Sequence, residues 1–486
     1  MTAERQPSTP DSLSSAGSAD PPTRSTPARL TPPPWLILVD VAIVVLVLLA
    51  LWVWAFTGFR LYVFGLRVSI RSIDRLLIAA VVLRGLRFFV WRHLPPYRHL
   101  RQRWQDALAR WPAFGATAAI AIGTRVTVLA VGLLSVWLVG YSGDGQPPYR
   151  FSPHELLNLP ARWDAGWYVG IATDGYRWSP SLYDQQNIVF FPAYPLLMRG
   201  LMLIVGANTA LAASWAGVLI SVTSFALALA LIYRIAADRF DKDVALAAVL
   251  FLASYPLALY YSVTYTEGLF LLANVAAFYA FERQRFVLAA AAGLLAGLTR
   301  PNGCLLSVAL ALVLVCREWT PTLASYRARL TLPIGIKGLA AAAMPGVGMI
   351  LHSVYVWTLT GDALAWMHHQ RAWARSVSLF DPGVLQQFRT PEYTLHAAAF
   401  LFAIAGLWPV ARRIGVGAAT FVAVSVLLPF INGGLISMGR FTAVLFPLFI
   451  WLALIVPAER RALVAALFGI GQGFAGVLFF TWRWMI

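Results

Sequence analysis

The feature that most limits what this chain can become is a series of about thirteen apolar runs, each close to the length of about 20 residues that a helix needs to cross a bilayer. They fall at 35–56, 76–91, 113–140, 209–233, 244–262, 267–281, 286–299, 302–316, 332–358, 394–410, 414–430, 441–456 and 462–481. Hydrophobic residues make up 59% of the chain and charged residues 12%, against about 45–50% and about 25% in soluble domains. A soluble globule of 486 residues has no interior large enough to hide that excess. The expected fold class is therefore all-α and polytopic, with about thirteen transmembrane helices.

The net charge of +17 comes from 38 basic and 21 acidic residues. In a soluble protein such a balance points to nucleic acid; here it is explained by Lys and Arg collecting on the cytoplasmic side, and no nucleic-acid partner is expected. If 209–233 runs inward, the cytoplasmic loops hold Arg234/Arg239/Lys242, Arg283/Arg285, Arg317/Arg327/Arg329, Arg412/Arg413 and Arg460/Arg461, a basic cluster in every case. This alternation requires 190–206, short and interrupted by two prolines, to lie at or dip into the outer face rather than cross. The polar segment 141–187, with three Arg against five acidic residues, belongs outside.

Three regions follow. Residues 1–34, with eight prolines and many Ser and Thr, are expected to form a cytoplasmic tail without a core. Residues 35–112 form a two-span segment. Its first run is too long, and lacks the cleavage site, for a signal peptide. Around Gly65 the alternation in FRLYVFGLRVSIRSIDR suggests an amphipathic hairpin at the membrane surface. Residues 113–486 form the main body, with a large external loop at about 141–208. Cys304 and Cys316 stand about 18 Å apart on a helix, too far for a disulfide, and read as packing residues. No Cys/His metal spacing, P-loop or GxGxxG occurs.

Under this topology the outer ends of the helices carry a distinctive set of residues: RWDAGWYVGIATDGYRW (162–178), NIVFFPAYP (187–195), TYTEG (264–268), TRPNG (299–303), GDALAWMHHQRAWAR (361–375) and GGLISMGRF (433–441). Charges at membrane depth are costly and concentrate at functional sites, although each alone also suits a helix cap or a snorkelling side chain. Asp164 is flanked by Trp163, Trp167 and Tyr168: aromatic faces stack on sugar rings, and a carboxylate accepts a hydroxyl proton. Arg300, Arg371, Arg375 and Arg440, with His368 and His369, suit a phosphate. The residues alone therefore suggest an outward-facing site for a phosphate-bearing, lipid-linked sugar. Asp174, in a TDGY turn, reads as turn-forming, and Asp362 is as suited to capping as to catalysis.

In these same motifs, RWDAGWYVGIATDGY, FFPAYPLL, YTEGLFLL, LTRPNG, GDALAWMHHQRAW and SMGRF in that order, the chain resembles the PIG-V-type mannosyltransferases of the GT-C superfamily over about 113–486. The resemblance implies a GT-C-like fold with short juxtamembrane helices on the first external loop, an inverting transfer of mannose from a polyprenyl-phosphate donor to a glycolipid or glycan acceptor, and an acidic residue serving the reaction at Asp164. The remaining roles implied are substrate-binding, for Trp163, Trp167, Tyr168, Glu267, Arg300, Asn302, Asp362, His368, His369 and Arg440. No metal and no cofactor beyond the lipid-linked co-substrate is expected. The setting implied is a bacterial plasma membrane with the site on its extracytoplasmic face. A lipid-linked sugar flippase or transporter and a non-catalytic membrane homologue remain as alternatives; no inverted repeat supports the former.

Overall fold

The computed structural model describes residues 34–56, 59–63, 66–70, 73–90, 112–142, 147, 149–181, 183–316, 332–373, 375 and 382–483. The expected N-terminal tail (save Pro34), the basic stretch from Arg92 to Arg110, and Arg317, Arg327 and Arg329 lie outside the described residues. Helices carry the described fold. The first two, α1 (Pro34–Phe56) and α2 (Ile73–Val90), pack on each other and flank a hairpin of β1 (Phe59–Val63) and β2 (Leu66–Ile70), with Val63 opposite Leu66. The hairpin expected from the alternating pattern is thus present. Asp40 of α1 and Arg87 of α2 pair at 3.1 Å in the buried seam between the helices, where each charge offsets the burial cost of the other.

The main body comprises α3 (Pro112–Leu138), α4 (Ala165–Asp174), α5 (Ala193–Ile204), α6 (Ala210–Arg239), α7 (Lys242–Ser254), α8 (Glu267–Glu282), α9 (Phe286–Thr299), α10 (Leu306–Cys316), α11 (Leu332–Thr360), α12 (Thr394–Arg413), α13 (Val416–Gly433), α14 (Met438–Ala443), α15 (Phe446–Ile455) and α16 (Ala458–Phe480). Among the described residues, six helices (α3, α6, α11, α12, α13 and α16) are long and apolar enough to cross a membrane, and a seventh span is formed if the bent pair of α7 and Pro256–Ser262 counts as one. Several runs expected as full spans are shorter helices, among them α9 and α15. The α5 helix, 12 residues long, is short as expected of the 190–206 segment.

Proline explains two of the breaks. It disfavours the helical conformation in the residue before it. Tyr255, before Pro256, has φ −52° and ψ 137°; Arg300, before Pro301, has φ −150° and ψ 150°. The first break bends the chain by 79° and frees backbone carbonyls inside an apolar body, where each needs a partner. Arg125, buried on α3, supplies them: Nη2 donates to Ala253 O at 2.8 Å, and Nη1 donates to Ala258 O and, at 3.1 Å, to Ser262 Oγ. Gln472 of α16 donates to Ala253 O (3.2 Å) and Tyr255 O (2.8 Å).

The α9–α11 contact is held by small residues. A Cβ on Gly297 would lie 1.9 Å from Pro345 O, and one on Gly293 would lie 2.9 Å from Pro345 Cγ, so these backbones meet directly. The two ends of α8 carry different charge sets. At its C-terminal end Glu282 pairs with Arg239 at 2.9 Å, beside an Arg283–Asp238 pair. At its N-terminal end, about 24 Å away, stands Glu267.

Candidate active site

Asp164 precedes the first turn of α4, directly after Trp163, whose φ of 53° is left-handed. An aromatic residue does not adopt that conformation without being held there, and the holding contacts are visible. Arg162, fully buried, donates from Nε to Phe480 O (3.1 Å), from Nη1 to Asn158 O (2.7 Å) and from Nη2 to Glu155 Oε1 (2.6 Å). Trp163 Nε1 donates to Phe479 O at 3.1 Å. The Asp164 N–H donates to the Tyr265 hydroxyl (3.0 Å), which in turn donates to Arg162 O (3.2 Å). At Gly166 a Cβ would lie 2.5 Å from Tyr149 Cζ; glycine lets the Tyr149 ring rest on the first turn of α4.

The charges form one connected network. Glu267 opens α8 and is completely buried; its Oε1 accepts from Arg440 Nε at 2.7 Å and from Arg300 Nη1 at 3.0 Å. Arg440 Nη1 reaches Asp164 Oδ2 at 2.5 Å, so one guanidinium spans both carboxylates. Arg440 also stands 4.7 Å from the Tyr265 ring and 5.3 Å from the Tyr260 ring, and Arg300 stands 5.5 Å from Phe270 and Phe441, within cation–π range. Arg375 lies 5.6 Å from Phe441 and donates to Ile436 O at 3.4 Å. Among the described residues it has no carboxylate within ion-pair distance. Burial, then the neighbouring Arg440 charge, lowers its pKa to about 10, so it stays protonated at neutral pH. Three guanidiniums thus face two carboxylates.

These groups surround a cavity of about 950 Å³, whose lining includes Asp164, Arg300, Arg375 and Arg440 together with Trp163, Trp167, Tyr168 and Asn302. Two of its lining side chains hold buried polar atoms without a hydrogen-bond partner: both amide atoms of Asn302, and Nε1 of Trp482. Buried polar groups are normally paired; these are unpaired, as are side chains away from the cavity such as Asn274 and Ser425. Of the four described non-glycine residues with positive φ (Trp163, Gln284, Ser437 and Trp482), three line this cavity. Backbone strain of about 1–3 kcal/mol per residue concentrates at functional sites.

Of the residues named from sequence, the structure brings Trp163, Asp164, Trp167, Tyr168, Arg300, Asn302 and Arg440 to the cavity wall. Glu267, expected to touch substrate, is fully buried and does not line the cavity; its Oε1 is shared by Arg300 and Arg440. Asp362, His368 and His369 do not line the cavity. Asp362 Oδ1 accepts from Leu364 N (2.8 Å), a turn-capping contact, while Oδ2 pairs with His368 Nδ1 (2.7 Å) on the surface. His369 is buried beside Trp178, whose Nε1 lies 3.4 Å from His369 Nε2. That burial holds the His369 pKa below its ordinary value. Arg371 is exposed and does not line the cavity, whereas Arg375, from the same motif, does. Cys304, read as a packing residue, lies on the cavity wall with its Sγ donating to Pro301 O at 3.1 Å.

Sequence reasoning did not single out Tyr149, Tyr260, Tyr265, Trp373, Ser437 or Trp482, all on the wall. Tyr265 had a signal, as it lies within the quoted TYTEG turn. Trp482 had none, because only the fold returns the end of α16 to Trp163. Among the described residues no group of three His, Cys, Asp or Glu side chains is arranged to hold a metal ion.

No protein-family model matches the chain, and no curated protein sequence matches it. Solved structures do resemble it. The ArnT of Cupriavidus metallidurans, solved bound to undecaprenyl phosphate, is 14% identical with a TM-score of 0.43, covering 74% of this chain and 76% of that one. The oligosaccharyltransferase of Archaeoglobus fulgidus, solved with zinc and sulfate, is 14% identical with a TM-score of 0.38, covering 73% of this chain and 53% of that one. The archaeal oligosaccharyltransferase AglB in complex with an inhibitory peptide and a dolichol-phosphate has a TM-score of 0.37 at 14% identity, covering 74% of this chain and 56% of that one. The chain thus spans about half the length of the archaeal oligosaccharyltransferases it resembles.

Proposed function

We propose that the protein is a membrane glycosyltransferase that moves a sugar, mannose, from polyprenyl phosphate to a hydroxyl of a lipid- or envelope-linked acceptor, with inversion. On this reading residues 113–486 are the catalytic unit, preceded by the two-helix segment 35–112 and the tail 1–34, and the cavity opens on the outer face of a bacterial plasma membrane. The observation that carries the reading is a carboxylate, Asp164, set in the same cavity as an excess of guanidinium charge and an unpaired carboxamide. That combination suits a ligand with a phosphate at one end and hydroxyls at the other.

In the transfer, the acceptor oxygen forms a bond to the anomeric carbon while its proton passes to Asp164. The bond from that carbon to the phosphate oxygen breaks, and its electron pair leaves with the polyprenyl phosphate. Arg300, Arg375 and Arg440 offset the charge that grows on the leaving phosphate. A double displacement needs a second carboxylate close to the reacting carbon. Glu267 is buried behind the wall and already holds two arginines, which supports a single displacement.

The test is turnover of polyprenyl-phosphate mannose, with the glucose and galactose analogues alongside, by the full chain in nanodiscs. Asp164→Asn is expected to keep the wild-type elution profile and to lose at least about 100-fold in kcat, the lower end of general-base effects. Wild-type turnover by this variant removes Asp164 as the base. A cysteine at Ser179, in a C304S/C316S background, is expected to react with an impermeant maleimide on intact cells; reaction only after lysis reverses the orientation.

A further inference from the structure

Five ionised groups meet at the Asp164 end of the cavity, and their charges do not cancel. Among the described residues of the lining, the charged ones are Asp164, Arg300, Arg375 and Arg440. Glu267, which does not line the cavity, joins them through Arg300 at 3.0 Å and Arg440 at 2.7 Å. Three guanidiniums against two carboxylates leave one positive charge. The guanidiniums stay protonated at neutral pH, and Glu267 is fully buried between two of them. Asp164 differs: 28% of its side chain is open to water. It is therefore the one group of the five that can take up a proton and give it back.

Arg440 makes that proton felt across the site. Its Nε is fixed by Glu267 Oε1, while its Nη1 reaches Asp164 Oδ2 at 2.5 Å. Protonation of Asp164 cancels the charge that draws Nη1, and this donor then turns to any stronger anion within reach.

The transfer moves charge in a fixed way. A polyprenyl-phosphate sugar is a phosphodiester with one negative charge. As the acceptor oxygen bonds to the anomeric carbon, the electron pair of the broken bond stays on the phosphate oxygen. The leaving polyprenyl phosphate is a monoester, a dianion above its second pKa of about 6. The acceptor proton goes to Asp164. Before the step, one positive charge faces one negative charge; after it, two face two. The site is matched to the ligand at both ends of the reaction, and unmatched charge in a buried site is costly.

We propose that the proton taken up by Asp164 holds the polyprenyl phosphate product in the site, and that loss of this proton to water releases the lipid. This rests on the transferase reading above and adds to it the control of product release. While Asp164 is neutral, Arg440 Nη1 serves the phosphate. Once Asp164 is a carboxylate again it reclaims Arg440, and the dianion carries one negative charge too many for the site. Release of product and recovery of the base are then one event, and each new donor enters a site whose base is already ionised.

Equilibrium binding to the full chain in nanodiscs tests this without turnover. The probes are undecaprenyl phosphate, a dianion at about pH 8, and its methyl ester, a monoanion. Asp164→Asn fixes the neutral form. It is expected to bind undecaprenyl phosphate at least about tenfold more tightly than wild type, with a gain at least about threefold smaller for the methyl ester. Arg375→Met should weaken undecaprenyl phosphate at least about tenfold, and the double variant, with the wild-type charge, should return to within about threefold of wild type. Asp164→Ala removes the same charge and takes the place of Asp164→Asn if the latter does not stay monodisperse. Unchanged or weaker binding by the Asp164 variant, an equal gain for the two lipids, or a double variant as tight as the Asp164 variant overturns the coupling and leaves the transferase reading standing. A wild-type protein that binds neither lipid removes the phosphate from this cavity, and the transferase reading and this inference then fall together.

Discussion

Replacing Glu267 with Gln tests whether the site is assembled around one buried carboxylate. The substitution keeps the shape and one acceptor oxygen but removes the charge that Arg440 and Arg300 share at 2.7 and 3.0 Å. Two unit charges about 4 Å apart at an effective dielectric of about 20 attract by about 4 kcal/mol. Two such attractions are lost, but the carboxylate's own desolvation cost of several kcal/mol is lost with them. The net expectation is the 3–5 kcal/mol typical of stranding a buried charge, roughly. With an unfolding entropy of about 2.1 cal/mol/K per residue, a chain of 486 residues shifts by about 1 °C per kcal/mol, so the expected fall in Tm is about 3–5 °C. Thermal unfolding in nanodiscs reads it directly. A cycle with Arg440→Met makes the reasoning refutable: if the cost of Glu267→Gln comes from a stranded Arg440, the double variant must cost less than the sum of the singles by more than about 0.5 kcal/mol. A Tm within about 1 °C of wild type, or strictly additive costs, refutes a carboxylate-centred network.

Three further outcomes follow from the same geometry. Arg375 is half-buried without a carboxylate partner among the described residues, so Arg375→Met should leave Tm unchanged or higher while raising the donor KM at least tenfold; a fall in Tm with unchanged KM contradicts its role. Gly297→Ala places a Cβ 1.9 Å from Pro345 O, where backbone rather than a side chain must move. It should cost at least about 1–3 kcal/mol of stability, read as a loss of monodisperse protein on heating. Asp362→Asn and His368→Ala alter a surface pair away from the cavity, so kcat and donor KM should each stay within twofold; a tenfold loss in either would return that pair to the site.

What could be read from the sequence was what is local. The Trp-Asp loop, the Pro-containing breaks and the basic loop ends are patterns of neighbours along the chain, and Asp164, Arg300, Asn302 and Arg440 followed from them. The same local reading placed the histidines with the arginines, and the structure does not bring them to the cavity wall. GDALAWMHHQRAWAR is dense in functional-looking side chains, but Asp362 and His368 pair with each other on the surface, and of its charged side chains only Arg375 lines the cavity, beside Trp366, Gln370 and Trp373. Tyr149 and Trp482 were illegible because they come to the cavity wall only after α16 returns to the start of the external loop. Apolarity alone does not separate a full span from a short packed helix: α15, within the body, is as apolar as a helix facing lipid.

The breaks in the helices and the placement of the charges have one cause. A charged side chain in the middle of an apolar helix faces either lipid or a packed neighbour, and both are costly. At a helix break the side chain turns into a cavity instead, at the cost of freeing backbone groups that must be paired elsewhere. Asp164 before α4, Glu267 at the start of α8, Arg300 between α9 and Pro301, and Arg440 on the short α14 all stand at such breaks. The pairing is done by residues remote from the chemistry. Ser221 Oγ donates to Tyr265 O at 2.6 Å just before Glu267, His396 Nδ1 accepts from Gly439 N at 2.9 Å just before Arg440, and Arg125 closes the carbonyls of the turn that carries Tyr260. Polar residues deep in this apolar body are therefore part of the site's construction although none touches its cavity, and their positions on α3, α6 and α12 set where the four charged groups meet.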